Sequence, residues 1–495
     1  MSPAASARDA VLALDQGTSG TKGMLVAEDG TVLATAYRAL SQQYPAPGHV
    51  EQEPEALWTT VVEVLRELAM REGVRPVGLG LSVQREAVLV WERATGRPLS
   101  RLVSWQDRRT AERCAELAQS RHAGLITERT GLPVDPMFSA SKAAWLLDDL
   151  DPGRGRARAG LLRVGTVDAW LLHRLTGGAT EAVETGSASR TQLLNLATGE
   201  WDPELAEIFG VPLETLPAVT ASTGDFGRMR GVPGVPDGLP IAAVLGDSHA
   251  ALFAQSHGEA DVVKATYGSG SSLMMLCPQD VKLPHGIART IAWRFAGQEP
   301  ARALEANIAS AGTAVRWAAR LLGTDTAGVA ELAATGRDSG LHLVPAFDGL
   351  GAPYWDRDAR AVLSGIQQDT GPAELARAAV ESLAYQVADT LTRFEDALGP
   401  VAALCADGGP TANERLMSFQ TELTGCPVLR AGVPELSALG VAQLAGMALG
   451  LWRRSDLAAV TPPGRRFAPI RGQAWREARM VGWRQAVARA RVMPT

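Results

Sequence analysis

Apolar and polar positions come in blocks along this chain, and the first block sets the frame for the rest. Val11–Leu14 runs straight into Asp15, a short join passes through Gly17 and Gly20, and Lys22 opens a second apolar run, GMLVA. Two aliphatic runs around a Gly-rich join predict two strands and a tight hairpin. A turn at Glu28–Gly30 leads to a third strand over Thr31–Ala36. Pro54 then starts a helix, because Leu57, Trp58, Val61, Val62, Leu65, Leu68 and Ala69 recur at helical spacing. The apolar run Val77–Val83 reads as a buried strand. Three strands, a helix and a buried strand predict an α/β domain built on a mixed sheet.

Further along, Val103–Ser104 is a short strand that ends in Trp105, and Met137–Asp149 is a turn plus helix with Ser139 or Ser141 near its N-cap. Thr166–Leu175 reads as a core helix, Ser187–Thr191 as a polar turn and Gly224–Pro240 as a loop. Ile241–Leu245 is a buried strand running into Gly246-Asp247-Ser248-His249, with a helix over Ala250–Gln255 behind it. Then the opening pattern recurs. Val262–Thr266 meets Tyr267-Gly268-Ser269-Gly270-Ser271-Ser272, and the apolar Leu273–Leu276 follows. This is a weak internal repeat, two halves each offering a Gly-rich hairpin to a cleft between them. The second half continues with a helix over Ala309–Leu322 carrying Gly312 inside it, a Gly/Pro/aromatic loop over Pro345–Asp356 and a long helix over Ala373–Phe394. A buried strand, Ala402–Ala406, ends in the turn Asp407–Asn413, and the helix Glu414–Leu423 points its N-terminus at that turn. Ser437–Leu449 is a small-residue helix suited to tight packing, and the basic stretch from Arg465 onward reads as a solvated helix.

Composition narrows the class. A chain of 495 residues is too long for one core. Its 46% hydrophobic and 21% charged residues are those of a globular protein, and a net charge of −6 without a basic tract argues against nucleic-acid or membrane partners. Cys114, Cys277, Cys405 and Cys426 are scattered, which suggests reduced core thiols. The start, Met1–Ala10, lacks the apolar segment of a signal peptide, and the most apolar long run, Ala438–Trp452, is interrupted and short. A cytoplasmic protein is expected.

The strand ends carry the candidate chemistry. A Gly-rich turn brings no Cβ to block close approach, which suits a phosphate; Thr18, Ser19 and Thr21 add hydroxyls and Lys22 a charge. The turn is not a P-loop, since a strand and not a helix follows Lys22. Asp15 at a strand end is placed to hold Mg²⁺ through water. Arg85 and Glu86 are either hydroxyl ligands or a solvated ion pair, and Trp105 either stacks on a polyol or sits in the core. Asp247 is either a base for an attacking hydroxyl or an N-cap, and His249 reads as structural. Two such hairpins facing each other could grip the phosphates of one nucleotide.

With these residues in view, the chain resembles the FGGY carbohydrate kinases, and among them the glycerol kinases most. The resemblance runs from DQGTSGTK at Asp15 to VGWRQAV at Val481. Its specific stretches are YPAPGHVEQEP at Tyr44, QRE at Gln84, WQDRR at Trp105, GD at Gly246, TYGSG at Thr266, PAFDGLGAPYWD at Pro345, AVLSGI at Ala361 and DGGPTAN at Asp407. The resemblance implies an α/β fold of two actin-like (ribonuclease H-like) domains, shared by sugar kinases, actin and heat-shock chaperones, closing over MgATP and a hydroxylated substrate. Residues 1–253 would form the substrate domain and 254–495 the nucleotide domain. Carried over residue by residue, it implies ATP-phosphate contacts from Thr18, Ser19 and Lys22, with Lys22 where an Arg is usual. Ser269 and Gly270 would form the second phosphate turn. Gly312, Arg316, Gly409 and Asn413 would line the adenosine site, with Arg316 in place of the usual Gln. Asp15 would place Mg²⁺. Asp247 would be the general base, and Arg85, Glu86, Trp105, Met137, Asp247 and Ser248 would bind substrate.

Three departures lie on the substrate side. Met137 stands where a glycerol-bonding Tyr is usual, Ser248 replaces a Gln, and Ser272 replaces a Phe expected to face Trp105. A pocket that trades Phe for Ser gains room, so a larger polyol or a ketose is expected as acceptor. A pentulose kinase is the alternative, and a non-catalytic nucleotide-binding sensor is a third reading that Asp15, Asp247, Arg85 and Glu86 together argue against. A homodimer or other homo-oligomer is expected, with a small-molecule polyol or sugar as partner.

Overall fold

The computed structural model describes residues 7–491; the first six residues of the start examined above and the last four of the basic tail lie outside it. In chain order the elements that matter here are β1 (Arg8–Gly17), β2 (Gly20–Ala27), β3 (Val32–Ala39), α1 (Pro54–Ala69), β4 (Val74–Val83), α2 (Ser139–Leu150), α3 (Thr185–Ser189), β5 (Ile241–Gly246) and α4 (Asp247–Ser256). They continue with β6 (Val262–Tyr267), β7 (Ser271–Cys277), α5 (Gly312–Leu322), α6 (Pro372–Leu398), β8 (Ala403–Asp407), α7 (Glu414–Thr424), α8 (Leu436–Ala448) and α9 (Gln473–Ala490). The chain divides into two compact units. The first runs through His257 and takes in 289–302 and 435–461; the second holds 258–288, 303–434 and the chain from 462 onward.

The first unit is built on a five-stranded sheet in the order β5-β4-β1-β2-β3. β1 is antiparallel to β2 and parallel to β4, which is parallel to β5. Ala10–Leu14 are fully buried because β1 is an interior strand covered on both faces, the setting in which strands read as unbroken aliphatic runs. α1 begins with Pro54 and buries Leu57, Val61, Val64, Leu65 and Leu68 against this sheet. The other face receives α8. Its small residues permit close approach: a Cβ at Gly80 in β4 would meet the Val441 carbonyl oxygen at 2.6 Å, and one at Gly440 would overlap that of Ala250. The Trp452 indole donates to the Glu28 carbonyl at 2.7 Å. This packing is why a segment so late in the chain belongs to the first unit.

In the second unit β6 lies between β7, antiparallel, and β8, parallel, with Val428–Arg430 and Arg465–Phe467 beyond β8. α6 is the central helix, burying a near-continuous stripe from Ala376 to Phe394. Two expectations are corrected. The basic tail is not merely a solvated helix, since α9 buries Met480, Trp483 and Val487, with Trp483 stacked on Tyr385 at 5.2 Å between ring centroids. Ser187–Thr191, expected as a polar turn, is buried, and residues 185–189 form a helical turn, α3, capped by the Glu184 carboxylate. No cysteine among the described residues is in a disulfide, and Cys114, Cys405 and Cys426 are buried. No helix among the described residues is long and apolar enough to cross a membrane.

Candidate active site

The parallel strands of the first unit end together. In register, Asp15 of β1 lies beside Ser82 of β4, and Ser82 beside Leu245 of β5. The residues that follow each strand therefore emerge at one carboxyl edge: Gly17–Gly20, Gln84–Glu86 and Asp247. Such an edge is where open α/β sheets bind ligands.

The hairpin turn is two residues, Thr18-Ser19, closed by the Gly17–Gly20 pair. Buried carboxamides hold it. Gln84 donates to Gln16 at 3.1 Å and to Gln52 at 2.9 Å, Gln16 donates to the Gly17 carbonyl at 2.8 Å, and Gln52 donates to the Thr18 carbonyl at 2.7 Å. The Trp105 indole donates to the Thr18 hydroxyl at 3.0 Å, and Ser19 is exposed at the tip. Thr21 is not available to a ligand. It is buried on the opposite side, 2.7 Å from the Thr60 hydroxyl on α1. Lys22 pairs in register with Asp15.

Asp15 is buried and accepts from the Ser82 hydroxyl at 2.7 Å. Burial first, and then the charge of Asp247, push its carboxyl up to about 6, against the pull of Ser82 and Lys22. Asp247 is the first residue of α4, with Gly246 as N-cap, so the simple N-cap reading is set aside. Its side chain is 36% exposed, its carboxylate lies 3.5 Å from Arg85 Nε, and its carbonyl accepts from Ser437 on α8 at 3.0 Å. Ser248 donates its backbone N–H to the Asp247 carboxylate at 2.6 Å.

Arg85 and Glu86 are not a solvated ion pair. They are 6% and 5% exposed and are held by different partners. Arg85 reaches Asp247, and its guanidinium, which can only donate, bonds His249 Nε2 at 3.2 Å. Glu86 accepts from Arg190 Nε at 2.5 Å, and Arg190 is fully buried at the end of α3, its guanidinium over the Phe138 ring. Glu86 adopts a left-handed backbone, φ 61°, which a non-glycine residue keeps only when its surroundings hold it there. Trp105 is 37% exposed, which removes the core reading. Its turn is fixed by Asp107, which is fully buried and accepts from Val50 N at 2.6 Å and Arg109 Nη2 at 2.8 Å. Met137 is half-buried, in a turn where its N–H donates to the Asp135 carboxylate at 2.9 Å.

In the second unit, Thr266 of β6 pairs with Asp407 of β8, so the Gly268–Gly270 and Gly408–Asn413 turns leave one edge. The N-terminus of α5 is tied to the first turn: Gly312 N–H donates to the Gly268 carbonyl at 2.9 Å, and Ala311 and Thr313 N–H groups donate to Ser269 at 2.8 and 3.1 Å. Gly312 opens α5 and does not lie inside it, and a Cβ there would sit 2.5 Å from the Gly268 carbonyl oxygen. Arg316, on the same helix, is exposed and donates to the Thr313 hydroxyl at 2.9 Å. Ser269 is exposed. Gly409 opens a short 3₁₀ turn with open space where a side chain would be. Asn413 caps α7, accepting from Arg415 and Leu416 N–H at 3.1 Å each.

His249, expected to be structural, holds Arg85; Gln16, Gln52, Lys142 and Arg190 also fix this geometry, and nothing local in the sequence gives them that role.

The N-terminal domain of the FGGY family of carbohydrate kinases matches residues 10–254, and its C-terminal domain matches residues 263–449. Glycerol kinase of Alkalilimnicola ehrlichii is 43% identical over 97% of this chain and 98% of its own. Apulose kinase of Pectobacterium atrosepticum is 42% identical over 98% of this chain and 99% of its own. Among solved structures, Plasmodium falciparum glycerol kinase with ADP superposes with a TM-score of 0.93 at 27% identity, covering 98% of this chain and 99% of that one. A ligand-bound xylulose kinase from Lactobacillus acidophilus gives 0.86 at 19% identity over 97% of each chain, a likeness of fold.

Proposed function

The chain belongs to the FGGY family of carbohydrate kinases, as an ATP-dependent phosphotransferase of glycerol-kinase-like type that acts on an alcohol group, and from that premise we propose that its acceptor is a polyol or ketose larger than glycerol, with Asp247 as general base. The observation that carries the base assignment is a partly exposed carboxylate at a strand end, Asp247, 3.5 Å from the buried Arg85, which His249 holds from behind, while the next residue, Glu86, is held by buried Arg190. Arg85 donates to substrate hydroxyls and Glu86 accepts from them. Trp105 covers carbon, and Met137 and Ser248 line the remaining wall. The Asp247 carboxylate takes the proton of a primary hydroxyl as that oxygen bonds to the γ-phosphorus, and the bond to the β-phosphate oxygen breaks to release ADP. Thr18, Ser19, Lys22, Ser269 and Gly270 hold phosphates, and Gly312, Arg316, Gly409 and Asn413 hold the nucleoside. The cap role of Asn413 leaves its amide N–H₂ as the donor available for that task.

A magnesium ion in such reactions is held by one or two carboxylates together with substrate phosphates and water, and it neutralises charge on the transferring group. Asp15 and Asp247 fit that demand. Burial first, and then the charge of Asp247, raise the Asp15 carboxyl, and a cation there would offset both.

The acceptor's size rests on residues 137, 248 and 272. Serines at 248 and 272 are small, and Met137 is flexible and carries no hydroxyl. That an apulose kinase is as similar as the glycerol kinases favours a ketose among the candidates. The test is ADP release with MgATP across glycerol, tetritols, pentitols and pentuloses, run beside Asp247→Asn. A longer polyol or a ketose as best acceptor, lost in the variant, supports the proposal. Clear preference for glycerol refutes the enlarged pocket, and an unaffected variant refutes the base.

A further inference from the structure

Three of the residues assigned above to the substrate pocket are held by one face of one helix. Ser139 and Lys142 are three apart at the start of α2 and share a side of it. The Ser139 hydroxyl donates to the Glu86 carbonyl at 3.0 Å. The Lys142 ammonium donates to the Met137 carbonyl at 2.7 Å and to the Ser104 carbonyl, the residue before Trp105, at 3.0 Å. One side chain thus bridges two turns that come from distant parts of the chain.

We propose that Lys142 is a positioning residue for acceptor binding, fixing the Trp105 and Met137 turns relative to each other through the Ser104 and Met137 backbone carbonyls.

Lys142 is fully buried, in a helix whose neighbouring positions are filled by Ala140, Ala143, Ala144 and Leu147. An ammonium there carries a desolvation penalty that an unbranched apolar side chain of similar length would not. Burial draws Lys142 down to about 7, and Glu86, Asp107 and Asp135 are the carboxylates around it that hold it up. Those three are themselves fixed: Glu86 by Arg190, Asp107 by Arg109 and Val50, and Asp135 by the Met137 N–H and Arg108. The charge is therefore stabilised by the very turns that the ammonium joins. Whether charged or neutral, the amine keeps two N–H donors for its two carbonyls.

The proposal rests on the assignment of Trp105 and Met137 to the acceptor pocket, and the experiment separates the two. Initial rates with the best acceptor of the panel give KM for acceptor and for MgATP in the wild type, Lys142→Met, Lys142→Gln, the double variant Trp105→Ala/Met137→Ala, and that double variant carrying Lys142→Met. KM does not depend on how much of a preparation is folded, so a less stable variant still reads out. Displacement of pocket walls by about an ångström is expected to raise the acceptor KM at least about tenfold in Lys142→Met while the MgATP KM stays within about twofold. Lys142→Gln, which keeps an N–H₂ donor, falls between. Added to the double variant, Lys142→Met produces no further rise. An unchanged acceptor KM in Lys142→Met overturns the proposal, as does a rise of equal factor in both backgrounds. If Trp105→Ala/Met137→Ala itself leaves the acceptor KM unchanged, the pocket assignment is wrong and the proposal falls with it.

Discussion

Replacing Arg190 with Met tests whether Glu86 is held by a buried charge or merely lies beside one. Arg190 is 0% and Glu86 5% exposed, and the Nε–Oε1 separation is 2.5 Å. Met keeps the apolar contact with Phe138 and removes the guanidinium. What remains is a carboxylate buried without its counter-charge, on a backbone at φ 61°. Breaking a buried pair from one side costs about 3–5 kcal/mol. At about 1.5–2 °C per kcal/mol for a body of this size, the melting temperature of the first unit falls by roughly 5–10 °C. Thermal unfolding followed by tryptophan fluorescence measures it. Adding Glu86→Gln removes the stranded charge, so Arg190→Met/Glu86→Gln recovers most of the loss. Glu86→Gln alone is destabilised as well, since the buried guanidinium loses its paired carboxylate charge. The cycle yields a coupling of about 3 kcal/mol or more. The recovered double variant still binds acceptor poorly, because stability has returned and the carboxylate has not. A double variant whose loss equals the sum of the singles, or an Arg190→Met loss under about 1 kcal/mol, refutes the reasoning.

Asp247→Asn lowers kcat by about 10²–10⁴, measured as ADP release. Gly312→Ala places a Cβ 2.5 Å from the Gly268 carbonyl oxygen and forces α5 away from the Gly268–Gly270 turn. KM for MgATP rises by about tenfold or more and the acceptor KM holds; the reverse pattern contradicts the nucleotide assignment. Glu184→Gln changes how stability responds to pH. Burial pushes the Glu184 carboxyl up from 4.5 to about 7, so the folded chain keeps a proton that the unfolded chain has released. The stability associated with that proton is intact below about pH 4.5 and is lost as pH rises through about 7. The uncharged variant therefore gains on the wild type by up to about 3 kcal/mol between pH 5 and pH 8 in urea unfolding, and a pH-independent difference argues against a buried neutral acid.

What could be read from the sequence was whatever local signals carry. The Val11–Lys22 hairpin declares itself because aliphatic runs and glycines are adjacent in the chain. Asp15, Glu86 and Asp247 stand out because each ends, or follows closely on, a buried strand. The turns at Gly268–Gly270 and Gly408–Asn413 follow the same logic. What could not be read depends on partners far off in sequence. Arg85 and Glu86 look like a pair because they are neighbours, yet each is paired with a residue from another element, Asp247 and Arg190. Residues 435–461 belong with the first unit because small side chains on α8 fit glycines in β4, a match that no single stretch records. The basic tail misleads because its many arginines mask Met480, Trp483 and Val487 on the buried face of α9.

The residues around the acceptor are fixed by two different means, through side chains and through the main chain. Glu86 and Asp107 are held through their side chains: a guanidinium on Glu86, and an N–H and a guanidinium on Asp107. Any substitution there removes the bond along with the residue. Position 137 is held through its main chain, its N–H by Asp135 and its carbonyl by Lys142. The same is true of Ser104, whose carbonyl Lys142 holds and whose N–H donates to Val50 at 3.0 Å. A backbone grip leaves the side chain free to change. A Tyr, a Met or a smaller residue at 137 would enter the pocket from the same Cα, and the frame around it would be undisturbed. Specificity can then shift by substitution of one wall residue at little cost in stability, whereas loss of the grip moves the wall itself. Exchange at Met137 should accordingly re-rank acceptors while the melting temperature holds, and exchange at Lys142 should weaken all acceptors together.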